Sequence, residues 1–394
     1  MLVPLANTPR DYDWGSVTLL AGLEGRDPSG RPEAEVWFGD HPGSPALVPD
    51  GRPLGVWLAE EGARTGAPAH LPYLLKLLAA ASPLSIQAHP SRAQAVAGFA
   101  KEEAAGVPRD AAERTYRDEN HKPELIVALS ETFTALAGLR EIAATRRLLQ
   151  ALGPAAAGLA ARLNGPDAAA ALRDALGWLL SGQAQPDVEA IIAAAATTDD
   201  AEFGPELARM KDLAARHPGD PGVVVAMLMN LVTLHRGEAV FVPAGVLHAY
   251  LEGLGVEVMA ASDNVLRGGL TAKHIDVAEL LDVLDSTPGP IRVLRPQRLG
   301  GGAARYETDV ADFALLRVSV APDGSSRVPV TGTTIALATK GVLEVRGNRS
   351  GEAVELRPGQ ALLVTPDEQH VILSGYGELF LALPGSASAG AGGS

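Results

Sequence analysis

The sequence predicts a mainly β protein interrupted by a helical block, and three observations carry that reading. Strand-length apolar runs bounded by Gly, Pro, Asn and Asp dominate residues 1–139, apart from one helical excursion. Between about residues 140 and 234 the composition shifts to Ala and Leu, and apolar positions recur at helical spacing. Strand-like runs then return and continue to about residue 383. Many short strands at close spacing argue for a sandwich or a barrel.

Taken in order, residues 1–79 are rich in Gly, Pro and aromatics and read as short strands joined by turns. Glu35-Val36-Trp37-Phe38-Gly39 runs into the turn Asp40-His41-Pro42-Gly43. Residues 71–78 are apolar at nearly every position, with one charge at Lys76. A lysine there snorkels to a surface or lines a pocket, because a buried ammonium needs a partner. In Ser85-Ile86-Gln87-Ala88-His89-Pro90, Gln87 and His89 stand two apart and project from one face of an extended strand. From Ser91 the period changes: Ala93, Val96, Ala97 and Phe99 suggest a helix that ends near Gly106-Val107-Pro108. Strands resume at 123–128 and 131–136. Helices are expected over 141–152, 167–180, 186–196 and 205–215, separated by Gly-Pro breakers. Residues 237–245 read as a turn, a strand and a second turn that delivers His248. Short strands at 313–320, 333–339, 341–346, 361–365 and 371–374 follow, and 386–394 reads as a flexible tail.

Composition narrows the function. A net charge of -14 argues against nucleic acid or an anionic membrane as partner. The absence of cysteine removes disulfides, thiolate metal sites and a cysteine nucleophile. No signal peptide is apparent, and the longest apolar-rich run, 222–234, is too short to span a bilayer. A soluble, cytoplasmic, monomeric protein is the expectation.

Gln87, His89, Glu124 and His248 offer an amide, two imidazoles and a carboxylate on separate strand-like segments. Each alone is compatible with a purely structural role. Together they form a candidate mixed N/O metal site of the kind zinc accepts. Lys76, Lys122, Arg267 and Lys273 lie close in sequence to these residues or to the Gly-flanked loop Ser262–Thr271. Arg267, ahead of two glycines, suits close approach of an anion, or else pairs with Glu257 or Asp263. Basic residues gathered around a polar pocket in so acidic a chain suggest an anionic small substrate.

Several stretches resemble the type I phosphomannose isomerases, zinc-dependent enzymes of the cupin superfamily. They are Pro83-Leu84-Ser85-Ile86-Gln87-Ala88-His89-Pro90, Asn120-His121-Lys122-Pro123-Glu124, Val242-Pro243-Ala244-Gly245-Val246-Leu247-His248-Ala249-Tyr250 and Ser262-Asp263-Asn264-Val265-Leu266-Arg267-Gly268-Gly269. Tyr12-Asp13-Trp14-Gly15 and Glu35-Val36-Trp37-Phe38-Gly39 agree as well. The resemblance implies a jelly-roll (cupin) catalytic domain in two pieces, 1–139 and 235–288. It also implies a helical domain at 140–234 and a second, cupin-like jelly roll at 289–385. By motif position it implies one zinc ion per subunit on Gln87, His89, Glu124 and His248, with Arg267 in the active site. It further implies a sugar-phosphate substrate, interconverted between mannose 6-phosphate and fructose 6-phosphate through an enediol. His121, Lys122, Asp263 and Lys273 are then the remaining catalytic candidates, with an Asp263–Lys273 pair expected near the reacting carbons. Trp14, Lys76, Tyr250 and Glu257 are the expected substrate contacts. The C-terminal unit has one histidine, His370, and cannot rebuild the ligand set, so it is expected to be metal-free and to serve packing or regulation. The competing readings are an O2-using cupin and a non-catalytic regulatory cupin that binds the sugar phosphate without turning it over.

Overall fold

The computed structural model describes residues 1–385; the expected tail at 386–394 lies outside them. The strands up to residue 294 are β1 (Leu2–Leu5), β2 (Glu35–Phe38), β3 (Tyr73–Ala80), β4 (Ile86–Ala88), β5 (Glu124–Ala128), β6 (Thr132–Leu139), β7 (Met229–His235), β8 (Ala239–Val242), β9 (His248–Ala260), β10 (Leu266–Gly269) and β11 (Val293–Leu294). Those from β2 to β11 form a ten-stranded antiparallel sheet. β9 folds that sheet into a sandwich. Its first half pairs with β4 and β6, and its second half pairs with β3 and β5. At the crossing stands Gly253, with φ 130, where an added Cβ would meet Phe133 at 2.7 Å. Ile126, Ala128, Phe133, Ala135 and Tyr250 from the two walls fill the interior.

Both outer faces of this sandwich are covered. Ile86, Ala88, Leu136 and Ala249 on one wall pack against Leu148, Leu176, Ile191 and Met210 of the helical block. Its helices Ile142–Ala151, Ala168–Leu180, Gln185–Thr197 and Gly204–Arg216 agree with the apolar spacing. On the other wall, Val36, Leu75, Leu125 and Val258 pack against Ile335, Leu337 and Phe380 from the C-terminal strands. Burial of such side chains contributes about 1.5–3 kcal/mol each relative to exposure.

The C-terminal strands are β12 (Gln297–Gly300), β13 (Ala303–Tyr306), β14 (Ala314–Pro329), β15 (Thr334–Gly347), β16 (Ala353–Leu356), β17 (Ala361–Val364) and β18 (His370–Leu383). With β1 they make an eight-stranded antiparallel sheet curled around its own apolar interior. β15 is one strand where two were expected. A register shift between Ala338 and Lys340 lets even positions (336, 338) face the interior before it and odd positions (343, 345) after it.

Strand pairing moves three of the expected borders. β1 joins the C-terminal sheet, Leu2 opposite Val364. β7 begins at Met229, inside the expected helical block, and pairs with β6. β11, past residue 288, pairs with β8. The stretch read as strands and turns also contains a 12-residue helix, Leu54–Thr65, which buries Leu54, Trp57, Leu58 and Thr65 and ends at Gly66 with φ 77. Among the described residues no helix is long and apolar enough to cross a membrane.

Candidate metal centre and active site

Register builds the site. Gln87 lies opposite His248 across β4 and β9, and Arg267 lies opposite Gln87 across β10 and β4. Cross-strand partners project to one face, so the three side chains form a row. His89 follows two residues after Gln87, and Glu124 opens β5. Nδ1 of His89 is 2.7 Å from the Asn264 carbonyl oxygen, and Nδ1 of His248 is 3.1 Å from that of Val246. A carbonyl only accepts, so each ring places its proton on Nδ1 and leaves an Nε2 lone pair. Those Nε2 atoms lie 3.2 Å from Oε1 and 3.2 Å from Oε2 of Glu124, respectively.

Metal-ligating atoms of His89, Glu124 and His248 all lie within 4.8 Å of one another. Nε2 of His89 is buried without a hydrogen-bond partner, an orphan that a cation would satisfy. Burial lowers the His89 pKa to about 4, which keeps the ring neutral and able to ligate. Burial would raise the Glu124 carboxyl, but the Lys122 ammonium beside it outweighs burial and holds the group well below the usual range. The Gln87 amide nitrogen lies 3.4 Å from Nε2 of His248, and a half-turn of the amide presents its oxygen at the same point. Two imidazoles, a carboxylate and an amide oxygen suit zinc.

Beside this cluster lies a cavity of about 190 Å³ between the sandwich walls. The register Trp37–Lys76–Glu257 carries a second row into it. Lys76 is buried, so it lines the pocket and does not snorkel. Its Nζ lies 3.0 Å from Glu257 Oε2 and 3.3 Å from Glu35 Oε1. Burial would lower its pKa, but Glu257, Glu35 and Glu124 reverse that and keep it charged. Burial raises the Glu257 carboxyl despite Lys76. The Tyr250 hydroxyl donates to Glu124 Oε2 at 3.3 Å, and burial, with Glu124, raises its pKa. Lys122 lines the same cavity, its Nζ 3.4 Å from Glu124 Oε1. A hollow of about 550 Å³ beside Arg298 and Arg317 is larger but is lined by no histidine or carboxylate.

Other expected residues fall elsewhere. The Asp263–Lys273 pair does not form. Asp263 lines the cavity but pairs with His41, whose Nε2 is 3.1 Å from Oδ2. Burial would raise the Asp263 carboxyl, and the His41 hydrogen bond outweighs it and lowers it. Lys273 sits instead beside other cations: burial, Arg267 and Arg117 all lower its pKa. Burial and Arg117 do the same to Arg267, and among the described residues no carboxylate reaches ion-pair distance of it. Its two possible acids are engaged elsewhere, Glu257 with Lys76 and Asp263 with His41. His121 lies off the cavity, its Nε2 2.7 Å from Asp312 Oδ2 of the C-terminal unit. His121 and Lys122 both precede β5, whose first residue is Glu124: Lys122 enters the cavity, and His121 turns to Asp312 instead. Trp14 also lies off the cavity lining, packed on the interior core and stacked on Tyr12 with ring centroids 5.7 Å apart. Sequence reasoning passed over Glu35, His41, Arg117 and Asn264. For Glu35 the signal was present, since Glu35 and Trp37 alternate as Gln87 and His89 do.

Residues 2–142 match the family of the phosphomannose isomerase type I catalytic domain. The chain is 36% identical to a mannose-6-phosphate isomerase of Escherichia coli, over 95% of this chain and 97% of that one. It is 31% identical to the human mannose-6-phosphate isomerase, over 88% and 94%. A crystal structure of mannose 6-phosphate isomerase from Salmonella typhimurium, bound to substrate (fructose 6-phosphate) and zinc, superposes with a TM-score of 0.88 at 33% identity. It covers 98% of this chain and 100% of that one. With fold, ligand-type cluster and near full-length similarity in agreement, the chain belongs to the type I phosphomannose isomerase family.

Proposed function

We propose that this chain interconverts mannose 6-phosphate and fructose 6-phosphate in the cytoplasm, with zinc held by Gln87, His89, Glu124 and His248. One observation carries the assignment: the orphaned, buried Nε2 of His89 belongs to a cluster that opens onto a cavity containing a buried Lys76–Glu257 pair. Bound zinc supplies Lewis acidity that favours negative charge on the sugar's C1 and C2 oxygens. Glu257, its carboxyl raised by burial, takes the proton from one carbon and returns it to the other. Lys76 stays charged at 3.0 Å from it and stabilises the enediolate. Lys122 and Tyr250 are placed to hold sugar hydroxyls. Arg267, Lys273 and Arg117 gather positive charge suited to the phosphate.

Chelation tests the assignment. Turnover of mannose 6-phosphate should disappear when zinc is stripped and return when it is restored. A zinc-replete protein that binds the sugar phosphate without turning it over would move the assignment to a regulatory binding protein.

A further inference from the structure

Asn264 is fully buried and its side chain makes every hydrogen bond an amide can make. Its Nδ2 donates to the carbonyls of Asp118 and Asn120, each at 2.8 Å. Its Oδ1 accepts from the amides of Arg117 at 2.7 Å and Asp118 at 3.2 Å. Its own carbonyl accepts from Nδ1 of His89 at 2.7 Å. One residue thus joins three pieces of the site. It fixes the tautomer of His89. It ties down the 117–120 segment, which leads directly into Lys122 and Glu124. It also anchors the entry to β10, where Arg267 follows three positions later.

We propose that Asn264 is the positioning residue of the metal centre, setting the distance between His89 and Glu124: its side-chain amide pins the 117–120 segment and thereby holds in place its own main-chain carbonyl, on which His89 rests. The inference rests on the zinc assignment above. Side chains that orient a ligand in this way change metal affinity about 10–100-fold when removed.

The test compares Asn264→Ala and Asn264→Asp with Leu343→Ala, a cavity in the C-terminal core far from the site. Zinc dissociation constants are measured on metal-free protein by competition with a chromophoric chelator, alongside melting temperature. Both Asn264 variants should bind zinc about 10–100-fold more weakly, while Leu343→Ala melts earlier and binds zinc within about twofold of the parent. Metal-free protein with 15N-labelled histidine should show His89 protonated on Nδ1 in the parent and in both variants, because the main-chain carbonyl that sets the tautomer is kept; a changed tautomer together with parental zinc affinity would count against the proposal. If Asn264→Ala does not fold, Asn264→Asp decides, because it keeps an acceptor for the Arg117 and Asp118 amides. Parental zinc affinity in the Asn264 variants, or losses matched by Leu343→Ala, would overturn the proposal. Failure of the parent itself to bind zinc would instead remove the functional assignment on which it stands.

Discussion

The two sandwiches pack wall against wall and share an antiparallel architecture, yet their interiors are opposites. The C-terminal one is filled by Val and Leu from β14, β15 and β18, among them Val318, Leu343, Val345 and Leu373. The first one buries Glu35, Lys76, His89, Glu124, His248 and Glu257, each less than a tenth exposed. Desolvating such groups costs several kcal/mol per ion unless they are paired. The difference teaches where stability comes from. An ionisable interior is sustainable here because both outer faces are sealed by apolar cores that reach into neighbouring units.

That contrast can be broken at graded strengths. Lys76→Met should lower kcat about 10²–10³-fold, measured with mannose 6-phosphate at saturating zinc. It should also lower the melting temperature, since Glu35 and Glu257 lose their shared cation. Leu343→Ala should cost about 2–5 kcal/mol of stability and leave kcat/KM of the folded protein unchanged. A shift in KM there would give the C-terminal unit a part in the chemistry. Arg117→Met should raise KM for the sugar phosphate about tenfold while raising the melting temperature slightly, because it relieves repulsion with Arg267 and Lys273. An unchanged KM would take the phosphate away from this cluster.

The smallest effect concerns pH. The fold holds the Asp263 carboxyl below its unfolded value, so its pairing with His41 adds stability that is complete above about pH 4. That stability is lost as pH falls through the folded value. The pair is 45% exposed on the Asp263 side, so solvent screening keeps the effect small. His41→Ala should melt about 1 °C lower at neutral pH, with the gap closing below pH 4. A gap that persists there would mean that His41 stabilises by packing on Trp37.

Part of the cluster was legible because alternation on a strand is local: Gln87 and His89 share a face whatever pairs with them. The partners of Lys76 were not legible. They are set by the register of β2, β3 and β9, residues far apart in the chain. His121 was misplaced for a related reason. Its neighbour Lys122 enters the cavity, while His121 turns toward Asp312, a residue 191 positions away that no local pattern points to. Separate strands were expected at 333–339 and 341–346, whereas β15 runs through both and bends at Gly341 with φ 73. The helix at Leu54–Thr65 was hidden by Gly55 and Gly62, although its buried residues keep helical spacing.

The order of the ligands along the chain has a consequence for assembly. Gln87 and His248 are 161 positions apart, and the whole helical block lies between Glu124 and His248. Closure entropy grows only logarithmically with loop length, so this insertion weighs little at equilibrium. It weighs more in time, because pairings of high sequence separation form slowly. On the ribosome, where the N-terminal part emerges first, three donors appear long before the fourth. With the ligands proposed above, zinc capture would be a late event of biosynthesis, completed only after β9 has been made and seated between β4 and β5.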